Sequence, residues 1–252
     1  MPSSLRARQE LRDRVVAHLV TEYADHFVRT GTLVRSVATG TEIDLREPSI
    51  EPLLQLSQVI EEDFMLLEEI DGDLRITAAS NAYSNSGRLV ASVGRDMSFA
   101  HEPVPALNDK LGSKISGVLA SVHTATPCER FNWQLTPQST IFFPHDNPHA
   151  ANAAAMHEIT DAVRQNPDRV GDLLWIRVER QTLSRLPKSN AVAFSLHSFS
   201  DPLAALQTDM DSVRAVLALL QAYSAARWRY AEMDIVRDPV LRWLESIANA
   251  AE

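Results

Sequence analysis

Glu179-Arg180-Gln181-Thr182-Leu183-Ser184-Arg185-Leu186-Pro187 is a β-like run that carries glutamate, arginine and glutamine between two apolar segments, Leu173 to Ile176 and Ala191 to Leu196. Side chains alternate along a strand, which sends Trp175, Arg177, Glu179 and Gln181 to one face and Ile176, Val178 and Arg180 to the other. Asp172 to Leu183, a turn through Pro187-Lys188-Ser189-Asn190 and Ala191 to Ser198 together predict one long antiparallel hairpin. Charges inside such a hairpin must pair with one another or serve a ligand.

The neighbouring segments supply more strands and the helices that cover them. Phe131, Trp133 and Leu135 alternate with Asn132, Gln134 and Thr136, the pattern of a half-buried strand. Phe64 to Glu69 and Leu74 to Ala79 flank Asp71-Gly72-Asp73, where the glycine provides the positive φ of a tight hairpin turn. A third strand is expected at Arg88 to Val93, after Asn85-Ser86-Gly87. Residues 4 to about 28 carry Leu11, Val15 and Leu19 at helical spacing, and Leu107 to Val122 and 150 to 165 read as further helices. Gly31 to Pro52 reads as loop with short strands. Pro103 and Pro105 place His101 in a stiff turn that leads into a helix. Helical stripes follow Asp201-Pro202. The expected class is α+β, an antiparallel sheet flanked by helices, with N- and C-terminal helical extensions in a single domain. Its parts are residues 1–30, 57–200 and 201–252.

Composition narrows the function. The 252 residues are 45% hydrophobic and 23% charged, enough for a sizeable core. A net charge of −9 opposes phosphate binding, so nucleic acid is not an expected partner. No apolar run reaches the roughly 18 to 20 residues that cross a bilayer, and the start leads into a charged helix rather than a signal-peptide core. A cytoplasmic, soluble protein is expected. The single cysteine, Cys128, rules out an intrachain disulfide and any iron–sulfur cluster or zinc site built on several thiolates. No Gly-x-Gly-x-x-Gly run follows a strand, so reducing equivalents, where needed, come from elsewhere.

Four blocks carry a family resemblance: Ile60-Glu61-Glu62-Asp63-Phe64-Met65-Leu66-Leu67, His101-Glu102-Pro103-Val104-Pro105, Arg130-Phe131-Asn132-Trp133 and Glu179 to Pro187. In this order, over residues 57 to 200, they resemble the haem-dependent oxidative N-demethylases of the dimethylamine monooxygenase α-subunit type. The resemblance implies a PAS-like sheet and haem b. It also implies oxidation of a small secondary amine by O2 to a primary amine and formaldehyde, and a separate flavin and iron–sulfur reductase as electron donor. Asn81 to Leu89 lacks the proline and tryptophan that the family tends to carry there, and Ser92 stands at a family lysine position.

The resemblance assigns the proximal iron ligand to His101, in the place of a His-x-Pro-Val-Pro block; the bland reading is a histidine bonded within its own turn. Glu179 beside Trp175 is a seat for a protonated amine, countercharge from the carboxylate and a cation–π surface from the ring. The bland reading is an ion pair with an arginine. Arg180, Arg185 and Arg130 have the planar guanidinium that holds carboxylates such as haem propionates, and Arg180, on the more apolar face, needs a carboxylate from protein or cofactor. Asn132 and Trp133 complete the pocket or simply fill a core strand. His123 and His197 rank behind His101. His145, His149 and His157 form a weak zinc candidate, because Pro148 interrupts the helix that His-x-x-x-His needs. The rival function is a non-catalytic PAS-like haem or small-ligand sensor. Homo-oligomerisation is left open.

Overall fold

A computed structural model describes residues 1, 4–83, 88–102, 104, 107–142 and 148–250. In chain order the elements are α1 (Leu5–Glu22), β1 (Phe27–Thr30), β2 (Leu33–Ser36), β3 (Glu42–Asp44), α2 (Pro52–Ser57), β4 (Glu62–Ile70) and β5 (Asp73–Ser80). There follow α3 (Arg88–Ala91), α4 (Met97–His101), α5 (Leu107–Ser121), β6 (Cys128–Thr136), α6 (Pro148–Gln165), α7 (Val170–Leu173), β7 (Trp175–Arg185) and β8 (Val192–Pro202). Helices α8 (Met210–Gln221), α9 (Ala225–Tyr230) and α10 (Arg237–Ala250) close the chain. The class is α+β. β1, β2 and β3 form an antiparallel meander, and a five-stranded sheet has the order β5-β4-β8-β7-β6.

The chain divides into two compact units. The first holds Met1–Glu102, Leu107–Arg130 and Arg180–His197; the second holds Pro103–Ala106, Phe131–Glu179 and Ser198–Glu252. β7 passes from the second unit to the first between Glu179 and Arg180.

In the first unit, strand alternation builds two apolar clusters. Phe64, Leu66, Ala78 and Ala193 join Ala7, Leu11 and Val16 of α1 and Leu53 and Leu56 of α2. Met65, Leu67, Ile76, Leu183, Val192, Phe194 and Leu196 join Leu89 of α3 and Leu119 of α5. Both faces are therefore covered, which explains why β4 reads as a continuous apolar run instead of an alternating one. The β4–β5 turn holds Asp71 at φ 54° and Gly72 at φ 83°, the two positive values of a type I′ hairpin.

Two local expectations are corrected here. The N-terminal helix stops at Glu22, and Phe27–Thr30 is a strand of the meander. The third strand is absent where it was expected, because Arg88–Ala91 is a short helix that buries Leu89 and leaves Val90 exposed. The chain makes backbone hydrogen bonds to β5 after this helix, where Ile76 donates its N–H to the Arg95 carbonyl at 2.8 Å and Gly94 donates to Ile76 at 2.7 Å. Gly94 has φ 91°, a conformation that other residues avoid.

The second unit packs around Leu135, Leu174 and Ile176 from strand segments, Met156, Ile159 and Val163 from α6, Val213 and Leu220 from α8, and Trp243 and Leu244 from α10. Trp228 of α9 is 1% exposed within it.

Candidate functional site

Helix α4 positions His101. Asp96 caps it, accepting from the Phe99 N–H at 3.1 Å and the Ser98 hydroxyl at 2.6 Å. The Ser98 bond chiefly holds the Asp96 carboxyl below its usual range against the opposing effect of burial, with the Phe99 and Ser98 backbone N–H groups and the charge of Arg75 adding to it. His101 is thus the last residue of a short capped helix, where the sequence suggested a turn; of the prolines after it, neither Pro103 nor Pro105 lies within the described residues. Its imidazole is half-buried. Burial first, and the positive charge of Arg130 second, push its pKa below the ordinary 6.5, so the neutral ring with a free lone pair predominates at neutral pH.

Arg130 reaches across from β6 to β7, where its Nε donates to Gln181 Oε1 at 2.7 Å. Gln181 is 5% exposed. Arg130 and Gln181 therefore form one bonded pair, in the same unit as His101. The neighbouring residues of the same strands face the other way: Arg180 Nε lies 3.1 Å from Glu129 Oε2, with about half of both side chains in solvent (47% and 51%). Arg180 is thus partnered by a protein carboxylate, is not on a buried apolar face, and is separated by the sheet from Arg130.

Arg185 is employed elsewhere. Its Nε donates to the Val122 carbonyl at 2.7 Å, its Nη2 to Ala120 at 3.1 Å and Leu119 at 3.3 Å, and its Nη1 to the Asn190 carbonyl at 2.9 Å and side chain at 3.5 Å. All five guanidinium donors are committed to capping the end of α5 and bracing the hairpin loop, which leaves none for a propionate.

In the second unit, Glu179 Oε1 lies 3.9 Å from Nε of Arg177, a side chain only 1% exposed. Arg177 also donates to the Ser198 hydroxyl at 2.9 Å and the Ile141 carbonyl at 3.5 Å. Trp175 is half-buried on the same face of β7, as strand alternation requires. Trp133 is half-buried and packs against the apolar cluster of this unit. Asn132 is exposed.

Of the other histidines, His197 Nδ1 lies 3.2 Å from Glu62 Oε1, and His123 and His157 are exposed. His145 and the side chain of His149 lie outside the described residues. Among the described residues no three His, Cys, Asp or Glu side chains gather as a metal-binding group. A cavity of about 440 Å³ opens beside α4, lined by Arg75, Arg95, Asp96, Phe99 and Glu102 among others; its charged wall includes none of the residues singled out from sequence.

Sequence reasoning overlooked the tasks of Gln181 and Arg177. The available signal was position: both sit on a strand flanked by apolar residues, where a long polar side chain is buried only if it is bonded.

A neutral imidazole and a fixed guanidinium in one unit are a donor set that suits a cofactor bringing its own equatorial ligands and its own carboxylates, and haem is such a cofactor. The model of the family described as haem-dependent oxidative N-demethylase, alpha subunit-like, matches residues 1–241, and this chain belongs to that family. The description carries haem dependence and an alpha subunit, and with it other subunits or partners. Among the described residues no helix is long and apolar enough to cross a membrane.

Proposed function

We propose that this chain is the haem-binding oxygenase subunit of an oxidative N-demethylase acting on a small secondary amine such as dimethylamine. The observation that carries the reading is His101: a half-buried imidazole at a helix end, its pKa lowered by burial and then by Arg130, is a group that would hold the haem iron. Haem, when bound, supplies the activation of O2 with two electrons. Dimethylamine, O2, two electrons and two protons give methylamine, formaldehyde and water; a methyl C–H bond is replaced by C–O, and the C–N bond then breaks.

The chain's own residues bind and orient. His101 would hold the haem iron through a ring nitrogen. Arg130, held by Gln181, would take a propionate. Glu179 seats the protonated amine against Trp175, with Arg177 steadying its carboxylate at 3.9 Å. Arg180 and Arg185 have protein partners and are not assigned to the cofactor. The five-stranded sheet is read as PAS-like in this proposal. Electrons come from a separate flavin and iron–sulfur reductase. A reducing compartment such as the cytoplasm suits the exposed thiol of Cys128.

Hemin reconstitution tests the reading. A Soret band that disappears in His101→Ala is expected, followed by formaldehyde release from dimethylamine with a surrogate reductase. Absence of the band in the wild-type protein would refute haem binding. A band without formaldehyde would favour the sensor.

A further inference from the structure

We infer that Gln181 is a positioning residue: it fixes Arg130 by Nε so that the outer edge of the guanidinium is presented to a carboxylate of the bound cofactor. The inference rests on the haem reading and deepens it by naming the residue that sets the carboxylate contact. Arg130 is exposed and on the first residues of its strand, where an unrestrained arginine would sample many rotamers. Its one hydrogen bond among the described residues is the 2.7 Å contact from Nε to Gln181 Oε1, which leaves Nη1 and Nη2 with no protein acceptor there.

The geometry separates two tasks in one side chain. The inner edge is tied to a buried, neutral amide that is 5% exposed. A neutral acceptor orients the guanidinium without cancelling its charge, unlike the Glu129 carboxylate that pairs with Arg180 on the opposite face. Two terminal nitrogens then remain as parallel donors, the arrangement that fits a carboxylate bidentately.

Metal-free protoporphyrin IX and its dimethyl ester form the test, because neither depends on iron ligation by His101. Binding is read by quenching of tryptophan fluorescence in wild type, Gln181→Leu, Gln181→Glu and Arg130→Lys, with circular dichroism confirming that each is folded. The wild-type protein is expected to prefer the diacid by roughly tenfold, the size of one charge-assisted contact. Gln181→Leu and Arg130→Lys should each abolish most of that preference, and Gln181→Glu, which keeps an oxygen for Nε–H but cancels the guanidinium charge, should lose it as well. In the ligand-free protein, the Arg130 Nε–H resonance should be protected from solvent exchange and lose that protection in Gln181→Leu. An unchanged diacid preference in folded Gln181→Leu overturns the inference while leaving the haem reading intact. Diacid preference without a histidine-ligated hemin spectrum overturns the haem reading and keeps the carboxylate contact. No porphyrin binding at all overturns both.

Discussion

The Nε of Arg185 donates to the carbonyl of Val122 at 2.7 Å, one residue beyond the end of α5. The same guanidinium reaches Leu119 and Ala120 of the helix and Asn190 of the hairpin loop, so one side chain joins a helix terminus to a strand turn. Removal leaves several carbonyls unpaired. Arg185→Ala is expected to cost about 2 kcal/mol, the size of a hydrogen bond to a charged group, read as a lower urea midpoint with an unchanged slope. Arg185→Lys should recover little, because an ammonium cannot fork to carbonyls on both sides. An unaltered midpoint in Arg185→Ala would show that the cap carries no stability.

Glu10 braces the other side of the same loop. Its carboxylate oxygens accept from the backbone N–H groups of Lys188 and Ser189, each at 2.7 Å. Burial opposes its charge, yet the Ser189 side chain, those two N–H groups and the charge of Lys188 outweigh it and lower the pKa from 4.5. A depressed carboxylate pKa stabilises the fold at pH values above 4.5, and that contribution disappears as pH falls through the folded value. Stability should therefore decline below pH 4.5 more steeply in wild type than in Glu10→Gln, by urea titration. Parallel declines would contradict the bracing role.

The β7–β8 hairpin and the β4–β5 hairpin were legible because turn chemistry and apolar periodicity agreed there: Asp71-Gly72 adopts the positive φ values that its residue types permit. The 88–93 segment was not legible. Arg88-Leu89-Val90-Ala91 is too short for a period to decide between strand and helix, and burial of Leu89 alone satisfies either. The site was legible as a set of residue types and illegible as a set of partners. Strand alternation told that Arg180 and Gln181 face opposite ways, but which strand edge lies next to them, and hence that Glu129 meets one and Arg130 the other, is a tertiary fact. Arg185 illustrates the same limit, since nothing near it in sequence announces the end of α5.

The lowered pKa of His101 sets a pH window for ligation. A proton competes with iron for the ring nitrogen only below the folded pKa, which burial and then Arg130 place under 6.5. Hemin binding should thus persist below pH 6.5, with its acid midpoint under that value. The unfolded chain, titrating near 6.5, takes up the proton first as pH drops, so this histidine also subtracts stability in acid. Arg130→Leu should move the midpoint upward only partway, because burial, the larger cause, remains. A wild-type midpoint above 6.5 would contradict the assignment.

Gly171 of α7 lies against the indole of Trp243. A Cβ built there would come within 2.2 Å of Trp243 Cζ2, far inside van der Waals contact. Neither group has room, since Gly171 is buried and Trp243 is 9% exposed. Gly171→Ala should cost about 1 to 3 kcal/mol from overpacking, with a shift in tryptophan emission as α10 is displaced. The compensating pair Gly171→Ala with Trp243→Phe should recover part of the loss, and if the double variant is as unstable as the sum of both single ones, steric conflict is not the cause.

Arg180 and Arg130 offer a direct comparison, because strand alternation puts them on opposite sides of the sheet while both answer to β6–β7 neighbours. Arg180 pairs with Glu129 at 3.1 Å in solvent, with side chains 47% and 51% exposed. Solvent screening limits such a pair to less than about 1 kcal/mol, so Arg180→Ala should leave the urea midpoint and the hemin affinity close to wild type. Arg130→Leu takes the 2.7 Å Nε–H partner from the buried Gln181 oxygen and should cost about 1 kcal/mol in the urea titration, and it should also weaken hemin binding measurably by absorbance titration. Gln181→Leu is the control for that structural loss, and a hemin affinity lower in Arg130→Leu than in both Gln181→Leu and Arg180→Ala is the signature of a ligand-directed arginine. Equal hemin affinities in Arg130→Leu and Arg180→Ala would remove Arg130 from the cofactor site and return the choice of propionate partner to the arginines outside this pair.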